Sequence, residues 1–358
     1  MTLGTAERGC QMFADITGYT KYIGGTELTH AQDVVADLIE TIVGSNEPRF
    51  HLSKLEGDAA FCYAPAADVT PSMMLDTVEA TYFAFQRRVR DIALATSCPC
   101  DACVRIPTLD LKFFLHEGEY VVRRIARSEE LTGFDVILLH RLTKGTAGEK
   151  VSNRAYAVYT KATTDSLGID PAAFQLVPHS ETYDDVGEVE MFVQDLWTRW
   201  LDEQERSRDV VDPDESVLTR SFETPAPPQL VWEHLTDPVK RLGWQRHVTD
   251  VIPMTEGRTG VGAVNHCMHG EDVTVEHIAD WTPWSYITLH YDTLGVEDWR
   301  WTYRLDHLAD GTRVTFLIAD PGGGHWDRIE SDVTGLITMV IGHLEDELDE
   351  ALAIAPSR

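Results

Sequence analysis

The sequence predicts an α+β protein built from two domains, each with its own sheet. Its 358 residues are enough for two hydrophobic cores of ordinary size. In the first half, short apolar runs of strand type alternate with amphipathic helical segments, whereas the second half contains a series of strand-like runs and ends in one long helix. We place the domains at residues 1–196 and 217–358, with a linker helix over residues 197–216 that is rich in alternating charges.

The composition excludes several classes of partner. The chain has 59 acidic and 30 basic residues and a net charge of −29, so its surface repels phosphate backbones and anionic lipid headgroups. We therefore expect no nucleic-acid partner. No run approaches the roughly 20 apolar residues of a membrane span, and the N-terminus lacks a basic segment followed by an apolar one. These features predict a cytoplasmic protein without a membrane span.

The first predicted strand carries a candidate metal ligand. Cys10–Phe13 is a short apolar run typical of a buried strand, and Asp15 follows it. The small and hydroxyl residues that come next, which include Gly18 and Thr20, are typical of a helix start. A carboxylate at a strand end can hold Mg²⁺ or Mn²⁺ while the amides of a helix start bind phosphate. We therefore assign Asp15 to a metal, and Gly18 and Thr20 to nucleotide binding.

A predicted hairpin supplies the second carboxylate. Residues of strand type lie on both sides of Gly57-Asp58, which predicts a turn at this pair. If the first strand neighbours this hairpin, Asp15 and Asp58 converge and can hold one or two Mg²⁺ ions against a triphosphate. The alternative is that Asp15 caps a helix and Asp58 a turn.

Hydrophobic periodicity predicts further elements in the first half. A helix over residues 28–43 has Thr29 as its N-cap and Gly44 as its stop signal. A second helix is predicted over residues 71–96, and strands over residues 109–115 and 119–127.

Three cysteines lie within six residues, just before the strand at residues 109–115. Cys98, Cys100 and Cys103 can supply three ligands to Zn²⁺, which prefers four. The fourth ligand would come from Cys10, Cys62, a histidine or a partner chain. The alternatives are a reduced, partly buried loop and a redox pair. A disulfide scaffold is not expected, because six cysteines are too few for a chain of this length.

Three motifs in order resemble the catalytic domain of class III nucleotidyl cyclases. They are Phe-Ala-Asp-Ile-x-Gly-Tyr-Thr at residues 13–20, Lys-x-x-Gly-Asp at residues 54–58, and Phe-Leu-His-Glu-Gly-Glu at residues 114–119. The resemblance covers the first half of the chain and implies a ferredoxin-like fold. It also implies a helix over residues 135–143, with closing strands and a helix over residues 156–167 and 188–196.

The same resemblance implies roles for individual residues. Asp15 and Asp58 hold the metals, Lys54 contacts the purine of ATP or another nucleoside triphosphate, and Arg141 steadies the phosphates. Two subunits share each site head to tail in this family, so a homodimer is expected, and the product is a cyclic nucleotide. Active members usually carry Asn four residues before the Arg, to position the ribose, whereas this chain has Ile137, which has no hydrogen-bonding atom. This departure leaves open a non-catalytic dimerisation or sensor module.

The second half resembles another family. A strand near Val217 and short helices are followed by six strand-like runs and an amphipathic helix over residues 326–353. The motifs Pro-x-Pro-Pro-x-Leu-Val-Trp at residues 225–232 and Leu-Gly-Trp at residues 242–244 resemble the polyketide-cyclase and dehydrase-like group of the START-like (SRPBCC) helix-grip fold. The resemblance implies an apolar cavity between the sheet and the last helix.

We predict that an apolar small molecule binds in this cavity. The alternative for each candidate side chain is an ordinary core position, and an enzyme that acts on a small molecule in the cavity is a further option. The candidate cavity residues are Trp232, Trp244, His266, Met268, Trp284, Trp299, Trp301 and Met339.

Overall fold

The computed structural model describes residues 5–24, 27–47, 49–95, 100–125, 128–152, 154–206, 208–254 and 260–354. Contacts divide the chain into two compact units, residues 1–206 and 207–358. Each unit has one sheet and several helices, so the predicted mixed α+β class is confirmed. Within the described ranges, no helix is both long enough and apolar enough to cross a membrane.

The first unit is organised around a sheet of eight strands. The strands are β1 (Ala6–Thr17), β2 (His51–Glu56), β3 (Ala59–Pro65), β4 (Asp110–Ile125), β5 (Ser128–Thr132), β6 (Tyr156–Thr160), β7 (Val177–Tyr183) and β8 (Gly187–Asp195). The helices are α1 (Tyr19–Gly24), α2 (Leu28–Asn46), α3 (Pro71–Ala95), α4 (Asp101–Arg105), α5 (Phe134–Leu142), α6 (Lys161–Leu167) and α7 (Leu196–Glu205). The strand order is β2-β3-β1-β4-β6-β8-β7, and β5 pairs with β4. β4 and β6 run parallel, and the other neighbours run antiparallel.

The alternation of side chains along β1 assigns them to two cores. Met12 and Ala14 belong to the cluster that contains the buried residues of α2 and α3, whereas Phe13 belongs to the cluster that contains Leu139 of α5. Because successive side chains of a strand point to opposite faces, Asp15 shares the face of Phe13. This is the face that α5 covers.

The hairpin turn predicted at Gly57-Asp58 is present. β2 ends at Glu56 and β3 begins at Ala59. Gly57 has a φ of 68°, a left-handed conformation that glycine adopts without a steric penalty.

The helix predicted over residues 28–43, α2, is longer than the sequence indicated. Glu27 and not Thr29 stands at the N-cap, and no side chain caps the helix there. Gly44 lies inside the helix, which continues to Asn46. Asn46 is buried and accepts a hydrogen bond from the Thr81 hydroxyl of α3 (3.0 Å), so a tertiary contact extends the helix beyond the glycine.

The helix predicted as a linker over residues 197–216 packs within the first unit. α7 ends at Glu205, and the Asp195 carboxylate caps its start by accepting from the amide of Thr198 (2.9 Å). Trp200 is buried, and its ring centre lies 5.4 Å from that of Phe83. Burial of an aromatic side chain stabilises the helix more than its charge pattern does, so α7 belongs to the first core.

The second unit has a sheet of seven antiparallel strands and one long helix. The strands are β9 (Ser216–Thr224), β10 (Asp250–Pro253), β11 (Val264–His269), β12 (Asp272–Thr282), β13 (Tyr286–Thr293), β14 (Val296–Leu308) and β15 (Gly311–Ala319); the helices are α8 (Pro228–Thr236), α9 (Pro238–Trp244) and α10 (Trp326–Ile354). The strand order is β10-β11-β12-β13-β14-β15-β9. The predicted order of elements in this half is confirmed.

One face of α10 is apolar and buried. The buried side chains recur at the three- and four-residue steps of a helix face and are Val333, Ile337, Val340, Leu344 and Leu348. The same periodicity predicts this helix from the sequence, and it gives the second unit its core against the sheet.

Candidate functional site

Two carboxylates converge at one end of β1. Asp15 pairs in register with Ala59, the residue after Asp58, and the amide of Ile16 donates a hydrogen bond to the carbonyl oxygen of Asp58 (3.3 Å). Burial and, next, the charge of Asp58 raise the pKa of Asp15 to about 6, against the opposing charge of Lys112. Burial also raises the pKa of Asp58, although a hydrogen bond from its own backbone opposes this. A divalent cation fits such a pair, because its charge offsets the repulsion between the carboxylates.

Lys112 adds a positive charge beside Asp15. It lies opposite Asp15 in the pairing of β1 with β4, and its Nζ is 5.2 Å from the ring centre of Tyr156. A lysine at this place can pair with phosphate oxygens as well as with carboxylates. Lys112 could not be identified from the sequence, because the sequences of two distant strands do not specify the register in which they pair. The only feature of the sequence that could have pointed to this residue is a charged side chain between the apolar residues Leu111 and Phe113.

The two residues assigned to nucleotide binding, Gly18 and Thr20, lie in the turn after β1 and in the first turn of α1. Gly18 has a φ of 89°, and a Cβ there would lie 3.2 Å from the carbonyl oxygen of Thr108, so the position suits glycine. α1 begins at the next residue, and the amide of Tyr22 donates to the carbonyl oxygen of Gly18 (2.9 Å). Thr20 is exposed in the first turn. The amides that open a helix have no partner inside it, which leaves them for an anion.

Lys54 belongs to a separate charged group. Its Nζ is 3.0 Å from Oε1 of Glu56, and Oε2 of Glu56 is 3.6 Å from Nδ1 of His140. The imidazole of His140 packs edge-on against Phe13, with ring centres 4.7 Å apart. Burial lowers the pKa of His140, and the Glu56 charge opposes this. The structure therefore brings Lys54 to Glu56 and His140, two residues that the sequence did not single out.

Arg141 lies on an exposed stripe of α5. Phe134 and Ile137, at helical spacing from it, are 58% and 52% exposed. Arg141 is exposed too, and it forms no ion pair with any residue that the structure describes. Within one chain, the structure does not bring Arg141 into contact with Asp15 or Asp58.

The cysteine cluster lies beside a histidine. Cys98 is outside the described residues. Cys100 directly precedes α4 and Cys103 lies on it, and the Nδ1 atom of His30 is 3.3 Å from the Cys100 sulfur. Cys10 and Cys62, the other candidate ligands, are buried in β1 and β3, where burial raises the pKa of both thiols. Of the candidate fourth ligands, the histidine is the one that the described part of the chain brings to Cys100 and Cys103.

The second unit contains a half-open cavity of about 540 Å³. Three of the predicted residues line it, Trp244, Trp299 and Trp301. The face of α10 closes one side with Val333, Leu336, Ile337 and Val340, and the polar side chains on the wall are Arg241, Gln245, His247, His269, Asp272, Thr274, Tyr291, Thr293 and Tyr303. The cavity is therefore mostly apolar, with polar groups at fixed places on its wall.

The other predicted cavity residues lie elsewhere. They are Trp232, His266, Met268, Trp284 and Met339. Trp232 packs against Trp281, with ring centres 4.7 Å apart, as an ordinary core residue. On β11 the neighbours Cys267 and His269 line the cavity instead of His266 and Met268, because alternate side chains of a strand face opposite sides. Met339 is 41% exposed, whereas Val340 faces inward.

One of the polar residues on the cavity wall, Arg241, belongs to a buried ion pair. The Arg241 guanidinium of α9 donates two hydrogen bonds to the Glu276 carboxylate of β12, at 2.7 and 2.6 Å, and Asn265 donates a third at 2.8 Å. Burial disfavours the charged carboxylate, but the Arg241 charge and these hydrogen bonds hold the pKa of Glu276 below its ordinary value. Sequence reasoning missed the pair, because one charged residue on each of two distant elements is not a motif.

Two histidines also face the cavity. The rings of His247 and His269 are stacked with centres 5.4 Å apart. Burial and the neighbouring His269 and His343 lower the pKa of His247 to about 4. A neutral imidazole at this place can donate or accept one hydrogen bond with a bound molecule.

Two family models match separate parts of the chain. Residues 35–151 match a family described as a protein of unknown function (DUF2652). Residues 216–349 match the family described as polyketide cyclase / dehydrase and lipid transport. The second match agrees with the resemblance carried by the motifs at residues 225–232 and 242–244.

Individual proteins are similar to parts of the chain. The uncharacterized protein Rv2561/Rv2562 of Mycobacterium tuberculosis is 32% identical over 165 residues, which are 46% of this chain and 74% of that protein. The match to the guanylyl cyclase Cya2 has a TM-score of 0.40 and 14% identity and covers 53% of this chain and 92% of Cya2. The match to the adenylyl cyclase CyaB from P. aeruginosa has a TM-score of 0.39 and 13% identity and covers 54% of this chain and 96% of CyaB. The match to DynU16, a protein of the dynemicin biosynthetic locus, has a TM-score of 0.32 and 21% identity and covers 38% of this chain and 48% of DynU16. The cyclases match the N-terminal half, where the sequence resembles that family.

Proposed function

Because this chain belongs to the family of the uncharacterized protein Rv2561/Rv2562 of Mycobacterium tuberculosis, whose name states no activity, we propose a function from its own residues. The first unit binds Mg²⁺ and a nucleoside triphosphate, which we expect to be ATP, through Asp15 and Asp58. The observation that carries this proposal is the convergence of the two partly buried carboxylates beside Lys112.

The donor set fits a hard divalent cation. Mg²⁺ and Mn²⁺ prefer carboxylate oxygens, and two carboxylates in one place supply the negative charge that the ion needs. When bound, the ion neutralises phosphate oxygens and polarises them. Lys112 contributes a further positive charge next to Asp15, and the amides after Gly18 contribute hydrogen-bond donors. Together these groups support binding of a polyphosphate in spite of the acidic surface.

Turnover to a cyclic nucleotide is a separate step that needs the ribose held in place. Ile137 stands where a hydrogen-bonding side chain is expected, and its exposed hydrocarbon cannot perform that task. We therefore propose nucleotide binding as the main function and cyclisation as a separate, second proposal. Calorimetric titration of the purified chain with ATP and Mg²⁺ tests the first, and an assay for the cyclic product tests the second.

We extend the proposal to a head-to-tail homodimer. The exposed apolar stripe of Phe134 and Ile137 supports such a contact, and Arg141 next to it would reach the phosphates bound by Asp15 and Asp58 of the other subunit. The competing function is a dimerisation or sensor module that binds no nucleotide. The ATP titration distinguishes the two, because only the first gives heat that depends on Mg²⁺.

Asp15 makes the stability of the metal-free protein depend on pH. Its pKa of about 6 in the fold lies above the ordinary value of 3.8, so its stabilising contribution is complete below the ordinary pKa and is lost as the pH rises through about 6. We expect Asp15→Asn to stabilise the metal-free protein by about 1–2 kcal/mol near pH 7.5, after allowance for solvent screening, and by less than about 0.5 kcal/mol near pH 4. Thermal unfolding of both proteins across this range measures the difference. A difference that does not change with pH contradicts the raised pKa.

The cavity supports a second function, in the other unit. A space of about 540 Å³ lined by three tryptophans and the apolar face of α10 suits an apolar or aromatic small molecule. Arg241, His247 and the tyrosines of the wall supply hydrogen bonds that would orient it. The alternative, catalysis in this cavity, requires that a bound molecule be altered, which mass spectrometry of extracted ligands detects.

Filling the cavity should weaken binding there. We expect Val340→Trp, whose indole projects into the space, to weaken binding of an apolar naphthalene dye by about tenfold or more. Met339→Trp is the matched control, since Met339 is 41% exposed on the same helix, and it should bind the dye as the wild type does. Dye fluorescence measures both. Equal loss in the two variants, or in neither, contradicts the assignment of the cavity.

A further inference from the structure

We propose that His30, Cys100 and Cys103 bind a Zn²⁺ ion that links α2 to α4. The Nδ1 or Nε2 atom of His30 and the two sulfur atoms all lie within 4.8 Å of one another. This is a group of nitrogen and thiolate ligands from two elements that are distant in the chain. The site is separate from the carboxylate pair and does not depend on the function proposed for it.

The geometry is close to that of a zinc shell. Zn–S bonds of about 2.3 Å and Zn–N bonds of about 2.0–2.1 Å place neighbouring ligands of a tetrahedron roughly 3.5–3.8 Å apart. His30 Nδ1 and Cys100 Sγ are already 3.3 Å apart, and no separation in the group exceeds 4.8 Å. Small side-chain rotations are enough to close the shell, because Cys100 is only half-buried and His30 is exposed.

The carboxylate of Glu27 is a candidate for the fourth ligand, because it lies next to the segment that contains Cys100 and Cys103. Oε2 of Glu27 accepts a hydrogen bond from the amide of Ala102, the residue between the two cysteines, at 3.3 Å. Glu27 directly precedes α2, so the same contact that holds the carboxylate also brings the start of α2 to the Cys100–Cys103 segment. Among the residues that the structure describes here, Glu27 is a candidate for the fourth position of the metal, which water can also fill, and Zn²⁺ accepts both.

The donor set favours zinc over the harder cation proposed for Asp15 and Asp58. Two thiolates and one imidazole suit a borderline-soft ion, whereas Mg²⁺ takes oxygen ligands. Binding releases the two thiol protons to solvent, and two thiolates with one neutral histidine balance the charge of Zn²⁺; the centre is neutral with water as fourth ligand and carries one negative charge with Glu27. The ion would hold Cys100 and α4 against the start of α2.

Metal content of the full-length protein tests the proposal. We expect about one zinc ion per chain after purification in a reducing buffer, and less than about a tenth of that in His30→Ala and in Cys103→Ser. His277→Ala, an exposed histidine of the second unit, is the control and should keep its zinc. Replacement by Co²⁺ should give the thiolate charge-transfer and tetrahedral d–d absorption bands, and these should be absent from Cys103→Ser. Circular dichroism checks that each variant is folded.

Three results would overturn the site. The first is a reduced, zinc-supplemented wild type that contains no zinc. The second is unchanged zinc content and cobalt spectrum in folded His30→Ala. The third is a Cys100–Cys103 disulfide in the native protein that forms again in air after reduction and prevents zinc uptake, which would make the pair a redox centre.

Discussion

We expect Asp15→Asn and Asp58→Asn to lose Mg²⁺-dependent ATP binding, each by more than about 100-fold, since even a group that only supports a metal ligand contributes 10–100-fold. Asparagine keeps the shape and one oxygen of the side chain but removes the charge that holds the ion. Neither loss should come from unfolding, because burial raises the pKa of both carboxyls and a neutral side chain is tolerated at these positions. Calorimetry with ATP, with and without Mg²⁺, measures the change.

The control for this result is Asp184→Asn, which removes an equal charge from the exposed turn between β7 and β8 and should bind as the wild type does. A uniform loss in all three variants would show a general effect of net charge. Unchanged binding in Asp15→Asn and Asp58→Asn would remove the metal assignment.

The proposed head-to-tail dimer allows a more specific form of the same experiment. Arg141→Ala alone should lose nucleotide affinity without loss of stability, since Arg141 is exposed. Mixing it with Asp58→Asn should restore about a quarter of the wild-type sites, because half of the dimers are mixed and each of these has one intact site of two. No recovery after subunit exchange contradicts the shared site, while leaving the metal assignment of Asp15 and Asp58 to stand on its own test.

Breaking the buried ion pair should give the largest loss of stability in the second unit. Arg241 and Glu276 are 3% and 1% exposed, so Glu276→Gln leaves the guanidinium without its counter-charge in a desolvated place. We expect a loss of about 3–5 kcal/mol, which lowers the melting temperature by about 10 °C for a unit of this size. Tryptophan fluorescence follows this unit, because all tryptophans except Trp197 and Trp200 lie in it.

An exposed ion pair supplies the matched comparison. Arg313 and Glu223 are 2.6 Å apart but 46% and 59% exposed, and Glu223→Gln should cost less than about 1 kcal/mol. Replacing both buried partners, as Arg241→Met with Glu276→Leu, should recover much of the lost stability, because no charge is then left unpaired. Equal costs for Glu276→Gln and Glu223→Gln would contradict the account of the buried pair.

The sequence by itself determined most of the helices and strands and the turn that contains Asp58. Period-two and helical patterns predict the strands and the apolar face of α10, and a Gly-Asp pair between two strand-like runs predicts the turn that holds Asp58. These features are local, because each depends on residues that are neighbours in the chain. The convergence of Asp15 with Asp58 follows as well, once the first strand is paired with the hairpin.

Only the tertiary structure decided which distant residues meet. Strand register places Lys112 beside Asp15, and it also turns Cys267 and His269, not His266 and Met268, towards the cavity. A one-residue change of register would reverse every side chain of a strand, and nothing local specifies it. Burial of Trp200 assigns α7 to the first core against its charged pattern. In the same way, the approach of α4 to α2 creates the His30–Cys100 contact, and the approach of α9 to β12 creates the Arg241–Glu276 pair. Neither contact could be predicted, because the sequence around each residue does not indicate which distant residue it will meet.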